Sequence, residues 1–205
     1  PATTTYAESV ERIDALLASE REDPRVNSVC HSIVFKHAYR TPRAIAFLHG
    51  LTSSPIQFRE LGSLFHARGY NVLILRMPRH GYTDLLTRDP ARLTAAEYRE
   101  YAGRAVDLAR GLGDHLTIVG LSVSGVLAAW CAQSRADVDL AVPIAPSFAP
   151  WGVPRTLAPA LGRLFTRLPN TFVWWDIRKR ARLGAACTYP WFATHALAEA
   201  MLLGA

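Results

Sequence analysis

Two serines lie close together in the sequence GLSVSG at positions 120–125. A buried strand is predicted immediately before these residues and a helix immediately after them. A serine at such a turn can act as a nucleophile, because strained backbone at positive φ exposes its hydroxyl when small residues stand two positions away on either side. Gly120 and Ser124 meet that condition for Ser122. A nucleophile at Ser124 would instead place Val126 in the turn. Ser122 is therefore the predicted nucleophile, and its alternative role is that of a helix N-cap.

A glycine-containing loop after an earlier predicted strand could supply hydrogen-bond donors to the same site. The loop begins with His49 and Gly50. Acyl transfer needs two backbone N–H groups that stabilise an oxyanion. In this arrangement the donors are the amides of Leu51 and of Val123, the residue directly after Ser122. The His49 side chain is expected to hold the loop by bonding to the loop backbone, rather than to transfer protons.

A serine nucleophile also needs a histidine base and a carboxylate that orients the base. His195 is the only histidine after Ser122, and Asp176 is the acid that lies in the same part of the sequence. These two residues are the in-chain candidates for base and acid. His195, however, falls in a helical pattern between apolar residues, so the alternative is a histidine on the surface or in the packing of a helix.

The segment after Pro146 is rich in aromatic residues. Four tryptophans are candidates to line a pocket for an acyl chain: Trp151, Trp174, Trp175 and Trp191. Aromatic rings of this kind commonly form the walls of ligand pockets. The alternative is an aromatic core that holds a small domain together.

The elements that must position these residues alternate along the chain. Strand patterns at 44–48, 71–75, 116–120 and 138–144 are separated by helical patterns at 55–68, 94–112 and 123–134. Strands that read as continuous apolar runs, with helices between them, predict an α/β fold with a mostly parallel sheet and helices on both faces. The chain divides into an N-terminal amphipathic helix at 1–25, an α/β core at 26–146 and a helical cap-like segment at 147–205, in which no further strand is predicted.

The charge balance does not indicate a nucleic-acid partner. The sequence has 23 basic and 17 acidic residues, but the arginines are scattered and the one basic cluster, at 178–182, has no interleaved aromatic residues. No apolar run is long enough to span a membrane. No metal or organic cofactor is predicted, because the histidines and cysteines lack ligand spacing and there is no glycine-rich phosphate loop.

The three cysteines are Cys30, Cys131 and Cys187, which are far apart and leave one unpaired in any disulfide scheme. They are expected to be reduced, structural thiols. The compartment is left open, with the cytoplasm slightly favoured, and so is the oligomeric state.

The run from Ala44 to Pro146 resembles the α/β-hydrolase superfamily, and within it the branch of bacterial carboxylesterases and monoacylglycerol lipases. The resemblance rests on LHGLTSSP at 48–55, GYNV at 69–72 leading into PRHGYTD at 78–84, GLSVSG at 120–125 and IAP at 144–146. It implies an eight-stranded sheet, a serine nucleophile and a helical cap after the sixth strand. Ser124 and Arg79 each stand where the family has glycine.

The resemblance implies a serine hydrolase that cleaves carboxylic esters through an acyl-enzyme, with a small acyl ester as its partner molecule. In the family, the acid and the histidine lie on loops after two further strands. The sequence is therefore interpreted as the N-terminal part of a longer hydrolase, without its C-terminal strands and inactive alone. The alternatives are a non-catalytic protein that binds ligands with this fold, and a thioesterase or peptidase on the same frame.

Overall fold

The computed structural model describes residues 5–149, 152–174 and 187–204, and these residues form a sheet with helices on both faces. The strand order is β1-β3-β2-β4-β5, and every neighbouring pair is parallel except β1 and β3. The five strands are β1 (Ile33–Phe35), β2 (Thr41–Leu48), β3 (Asn71–Leu75), β4 (Gly113–Leu121) and β5 (Leu140–Ile144).

Six α-helices accompany the strands in the described residues. They are α1 (Tyr6–Glu22), α2 (Arg59–His66), α3 (Ala95–Ala109), α4 (Val123–Ser134), α5 (Ala158–Phe165) and α6 (Thr194–Leu203). Capping boxes start α1 and α3, where Thr5 and Thr94 each bond a glutamate three residues later, as the sequence predicts.

The central strand β2 separates two hydrophobic layers. Its side chains alternate between the faces of the sheet. Ala46 and Leu48 pack with α1, α3 and α4 on one face, whereas Ile45 and Phe47 pack with Phe58 on the face that α2 covers. The parallel register places the carboxyl ends of β2 and β4 side by side, and the candidate site lies at that edge.

One sequence prediction about strands needs correction. The residues before β2 contribute strand β1, which pairs antiparallel with β3, and the residues at 28–30 form a 3₁₀ turn in which Val29 donates to the Asn27 side chain. The aromatic segment does contain strands. They are β6 (Phe172–Trp174) and β7 (Trp191–Ala193), which pair antiparallel in a small sheet of their own.

Strand β5 has the composition of a buried strand but lies at the edge of the described sheet. Leu140 is 50% exposed, and Val142 and Ile144 are each 37% exposed. No strand in the described residues pairs with the outer side of β5. Continuous apolar runs are typical of strands covered on both faces, so the exposure of β5 follows from its position at the edge of the sheet and not from its composition.

The expectation of three reduced thiols is wrong for two of them. Cys30 and Cys187 form a disulfide between residues 157 positions apart in the sequence, with 5.9 Å between their Cα atoms. Only folding brings the two cysteines together, so their spacing in the sequence does not indicate that they pair. Cys131 is a buried free thiol, as predicted, and its burial raises its pKa to about 12. In the described parts of the chain, no helix is long and apolar enough to cross a membrane.

Candidate active site

Ser122 connects the last residue of β4 to the first residue of α4 in a strained conformation. Its φ is 60° and its ψ is −117°, a region that L-residues avoid unless the surrounding structure enforces it. Gly120 allows the strand and helix to approach, because a Cβ atom at this position would lie 1.8 Å from the carbonyl oxygen of Ser124. The positive φ and the need for glycine agree with the turn that the sequence predicts.

The hydroxyl of Ser122 has one side-chain partner that the sequence analysis missed. Its Oγ lies 3.0 Å from the Oγ of Ser147, and the Ser147 amide donates to the Ser122 carbonyl oxygen at 3.2 Å. Ser147 follows β5 directly. Because the carboxyl ends of parallel strands meet at one edge of a sheet, its position after a predicted strand was the signal that could have identified it.

Ser124 has a different task from Ser122. Its side chain is fully buried, and its hydroxyl donates to the carbonyl oxygen of His49 at 2.6 Å. The hydroxyl that replaces the glycine of related sequences therefore ties the turn to the loop after β2. This contact leaves Ser124 without access to a substrate.

Residues 49–54, called the His49 loop below, run past Ser122. A Cβ atom placed on Gly50 would lie 3.9 Å from the Cβ of Ser122. The Gly50 amide is occupied, since it donates to the Gln57 side chain at 2.9 Å. Within the described residues, neither the Leu51 amide nor the Val123 amide has an acceptor. Val123 opens α4, and the amides of a first helical turn have no partner inside the helix.

Two buried histidines hold the His49 loop. His49 Nε2 accepts from the Met77 amide at 3.0 Å, so its proton is on Nδ1, which donates to the Gly50 carbonyl oxygen at 2.9 Å. The ring of His80 lies within hydrogen-bond distance of two carbonyl oxygens, with Nδ1 near Pro78 and Nε2 near Leu51, and in its uncharged form it donates to one of them. Both rings contact backbone, as predicted for His49.

An ion pair links the N-terminal helix to the His80 segment. Glu20 of α1 is 3% exposed and accepts from Arg76 Nε at 3.1 Å. The Arg76 guanidinium also donates to the His80 carbonyl oxygen at 2.8 Å. Next in this segment, Arg79 has a φ of 63° and forms an ion pair of 2.9 Å with Glu97.

Protonation of the buried histidines is expected to make stability depend on pH. Burial, the larger cause, and the nearby His80 lower the pKa of His49 from 6.5 to about 3, and burial also lowers the pKa of His80. Below pH 6.5 the unfolded chain binds protons at these positions that the folded chain does not. The free energy of unfolding should therefore fall with falling pH, by up to about 1.4 kcal/mol per pH unit for each histidine.

Urea unfolding between pH 7.5 and 4.5 measures this dependence. His49→Asn should reduce the slope by about one proton. A stability that is flat with pH in the unsubstituted protein would contradict the buried, uncharged state of both rings.

The predicted base does not meet Ser122. His195 Nε2 lies 2.7 Å from the Leu168 carbonyl oxygen, and the His195 amide donates to Asn170 Oδ1 at 3.2 Å. All seven histidines of the chain lie in the described residues, and none forms a hydrogen bond with Ser122. Asp176, its predicted partner, lies outside the described residues. In the parts that the structure describes, no three histidine, cysteine or acidic side chains are grouped as a metal would require.

Two of the four predicted pocket tryptophans can be located. Trp174 and Trp191 lie on the paired strands β6 and β7, and their rings meet edge to face with 5.2 Å between centroids. The ring centroids of Phe172 and Trp191 lie 4.9 Å apart. These contacts form an aromatic cluster in the small sheet. Trp151 and Trp175 lie outside the described residues.

Comparison with known proteins identifies the family to which the sequence belongs and structures that share its fold. The sequence profile of the alpha/beta hydrolase family matches residues 45–203. No curated protein sequence matches the chain. A structure from the work on LipS and LipT, two metagenome-derived lipolytic enzymes, is similar with a TM-score of 0.66 and 22% identity, over 88% of this chain and 70% of that one.

Two further structures share the fold. The monoacylglycerol lipase of Paleococcus ferrophilus matches with a TM-score of 0.56 and 15% identity, over 83% of this chain and 69% of that one. A soluble variant of monoglyceride lipase from Saccharomyces cerevisiae, in complex with a substrate analogue, matches with a TM-score of 0.58 and 17% identity, over 85% of this chain. This chain spans 63% of the yeast structure's length. At these identities the likeness concerns the fold.

Proposed function

Because the chain belongs to the α/β hydrolase family, we propose that the protein hydrolyses carboxylic esters through an acyl-enzyme formed on Ser122. One observation carries the proposal. Ser122 has a φ of 60° between β4 and α4, at the point where the His49 loop passes. Strain of this kind is found where a serine must present its hydroxyl to a substrate.

The chemistry proceeds in two stages. Ser122 Oγ attacks the carbonyl carbon of the ester, a C–O bond forms, and the carbonyl oxygen becomes an oxyanion that the Leu51 and Val123 amides stabilise. Loss of one donor from an oxyanion hole costs about 10²- to 10³-fold in rate. The intermediate then expels the alcohol as the ester C–O bond breaks, and the alcohol leaves with the proton that Ser122 Oγ gave up to the base. Water next attacks the acyl carbon, which breaks the bond to Ser122 Oγ, releases the acid and returns a proton to the serine.

Proton transfer is the part of this mechanism that the described histidines do not supply. Ser122 is bonded to Ser147, and no histidine of the chain reaches it. In this proposal the base and its carboxylate come from residues outside this sequence. The 205-residue chain alone would then lack a general-base contribution that is typically worth about 10²- to 10⁴-fold.

The proposed substrate is an ester with an apolar acyl group, as in the carboxylesterase and monoacylglycerol lipase branch. The similar structures named above include lipolytic enzymes and monoacylglycerol lipases. We assign the segment 147–205 to a cap whose aromatic residues line the acyl pocket. The cluster around Trp174 and Trp191 supports this assignment, because it concentrates apolar rings in that segment.

A substrate panel tests the reaction class. The complete gene product should hydrolyse p-nitrophenyl esters of short and medium acyl chains, with kcat/KM at least tenfold above that for thioesters of the same acyl groups and for peptide amides. A preference for thioesters or amides would replace the proposed reaction with another one on the same frame.

A non-catalytic ligand-binding protein is the second candidate. The observation that favours it is the absence of any contact between the chain's histidines and Ser122. Such a protein would bind a long-chain ester, detected as quenching of tryptophan fluorescence, without releasing alcohol. Release of alcohol at a rate proportional to protein concentration would show that the protein is a hydrolase and not only a binding protein.

A further inference from the structure

We propose that Tyr189, anchored by the Cys30–Cys187 disulfide, is a positioning residue for the His49 loop, so that reduction of the disulfide lowers the rate of ester hydrolysis. The inference rests on the proposed function, because the His49 loop carries the Leu51 amide. It assigns a task to a disulfide that takes no part in the chemistry itself.

Three successive carbonyl groups of the His49 loop accept hydrogen bonds, the first from within the loop and the other two from outside it. The Gly50 oxygen accepts from His49 Nδ1 and from the Ser53 amide at 3.0 Å, and the Leu51 oxygen contacts His80. The Thr52 oxygen accepts from the Tyr189 amide at 2.8 Å. In a planar trans peptide the N–H points opposite to the C=O. The Leu51 amide shares its peptide plane with the Gly50 carbonyl group, so the bonds to the Gly50 oxygen fix the direction of that amide. The Ser53 amide, which makes one of these bonds, shares its own plane with the Thr52 carbonyl group that Tyr189 binds.

Tyr189 supports this arrangement from a segment distant in sequence. Its side chain is 2% exposed, and its ring meets that of His80 edge to face with 5.4 Å between centroids. Its hydroxyl accepts from the Tyr82 amide at 3.2 Å. Tyr189 thus contacts the loop directly through Thr52 and indirectly through His80, the residue that holds the Leu51 carbonyl oxygen.

The disulfide fixes the place where this segment meets the core. Cys187 lies two residues before Tyr189 and is bonded to Cys30. Cys30 is itself well anchored, since its amide donates to the Asn27 carbonyl oxygen at 2.8 Å and the Asn27 amide donates to Gly81 at 2.8 Å. After reduction, the stretch from Cys187 to Tyr189 loses its covalent link to Cys30, and Tyr189 is held by its own hydrogen bonds, its ring packing and the strand β7 that follows it.

A dithiol such as dithiothreitol provides the test without any substitution. It transfers two electrons and two protons to the disulfide, which yields two thiols, and becomes a cyclic disulfide. In the complete gene product, we expect kcat for p-nitrophenyl butyrate to fall about tenfold or more, because the oxyanion donor is no longer held. KM should change less than twofold, since the amide acts mainly in the transition state.

Matched cysteine variants separate this effect from a general effect of the reductant. The double variant Cys30→Ser/Cys187→Ser should have the low kcat from the start and show no response to dithiothreitol. Cys131→Ser should behave like the unsubstituted protein in both states. Far-UV circular dichroism establishes that each protein is folded.

Hydrogen exchange gives a readout that does not need activity. On reduction, the Tyr189 and Tyr82 amides should exchange faster, while amides in the middle of β4 stay protected. An unchanged kcat after complete reduction, in a protein that Ser122→Ala inactivates, overturns the positioning role and leaves the proposed function intact. A protein without esterase activity before reduction overturns the proposed function, and unchanged exchange at Tyr189 then overturns the anchoring as well.

Discussion

Replacing Ser122 with alanine in the complete gene product is expected to lower kcat/KM for p-nitrophenyl esters by at least about 10³-fold. The substitution removes the Oγ that forms the acyl bond and leaves the backbone turn in place. Residual hydrolysis would come from binding and from the amides of Leu51 and Val123. Initial rates over a range of ester concentrations measure the effect.

Ser124→Ala is the matched control for this prediction. The Ser124 hydroxyl is buried and donates to the His49 carbonyl oxygen at 2.6 Å. Its loss should cost about 1 kcal/mol of stability and change kcat/KM by less than tenfold. If Ser124→Ala removed the activity and Ser122→Ala retained it, the two serines would have been assigned the wrong way round.

Replacing Gly120 with alanine is expected to destabilise the protein by at least about 3 kcal/mol. The added Cβ would lie 1.8 Å from the Ser124 carbonyl oxygen and 2.4 Å from its carbonyl carbon. These are backbone atoms at the start of α4, so the helix itself must move away from β4. Ester hydrolysis should fall together with stability, because the same movement displaces Ser122. Urea unfolding followed by circular dichroism measures the change.

Gly103→Ala is the control, since it adds the same methyl group at a helical glycine. Gly103 lies in α3, and the nearest atom to its added Cβ is a guanidinium nitrogen of Arg135 at 3.7 Å, an ordinary contact. Alanine should stabilise the helix by about 0.5 to 1 kcal/mol. Equal stability of the Gly120→Ala and unsubstituted proteins would mean that β4 and α4 approach less closely than described.

The parts of the fold that sequence predicts well are local. Helix α4 and strand β3 have the predicted bounds, because a capping residue, a glycine or a change of hydrophobic period marks each end. The turn at Ser122 was also predictable from local sequence, because the small residues Gly120 and Ser124 stand two positions before and after it. His49 was expected to fix a loop, and the structure places its ring against backbone atoms.

The features that sequence could not predict arise between distant segments. The pairing of Cys30 with Cys187 joins residues 157 positions apart, and nothing in their spacing indicates it. Strand β1 is only three residues long, so its pattern could not identify β3 as its partner. For Ser147 the sequence indicates only that it follows a strand and lies at the same edge of the sheet as Ser122, since their contact depends on how β5 lies beside β4.

Covalent labelling tests the role of Ser122 most directly. The complete gene product is treated with a fluorophosphonate, digested, and mapped by mass spectrometry. The account predicts one adduct per molecule, located on Ser122, and no adduct in the Ser122→Ala variant. An adduct on Ser124, Ser147 or any other residue, or a folded protein that remains unlabelled, would contradict it.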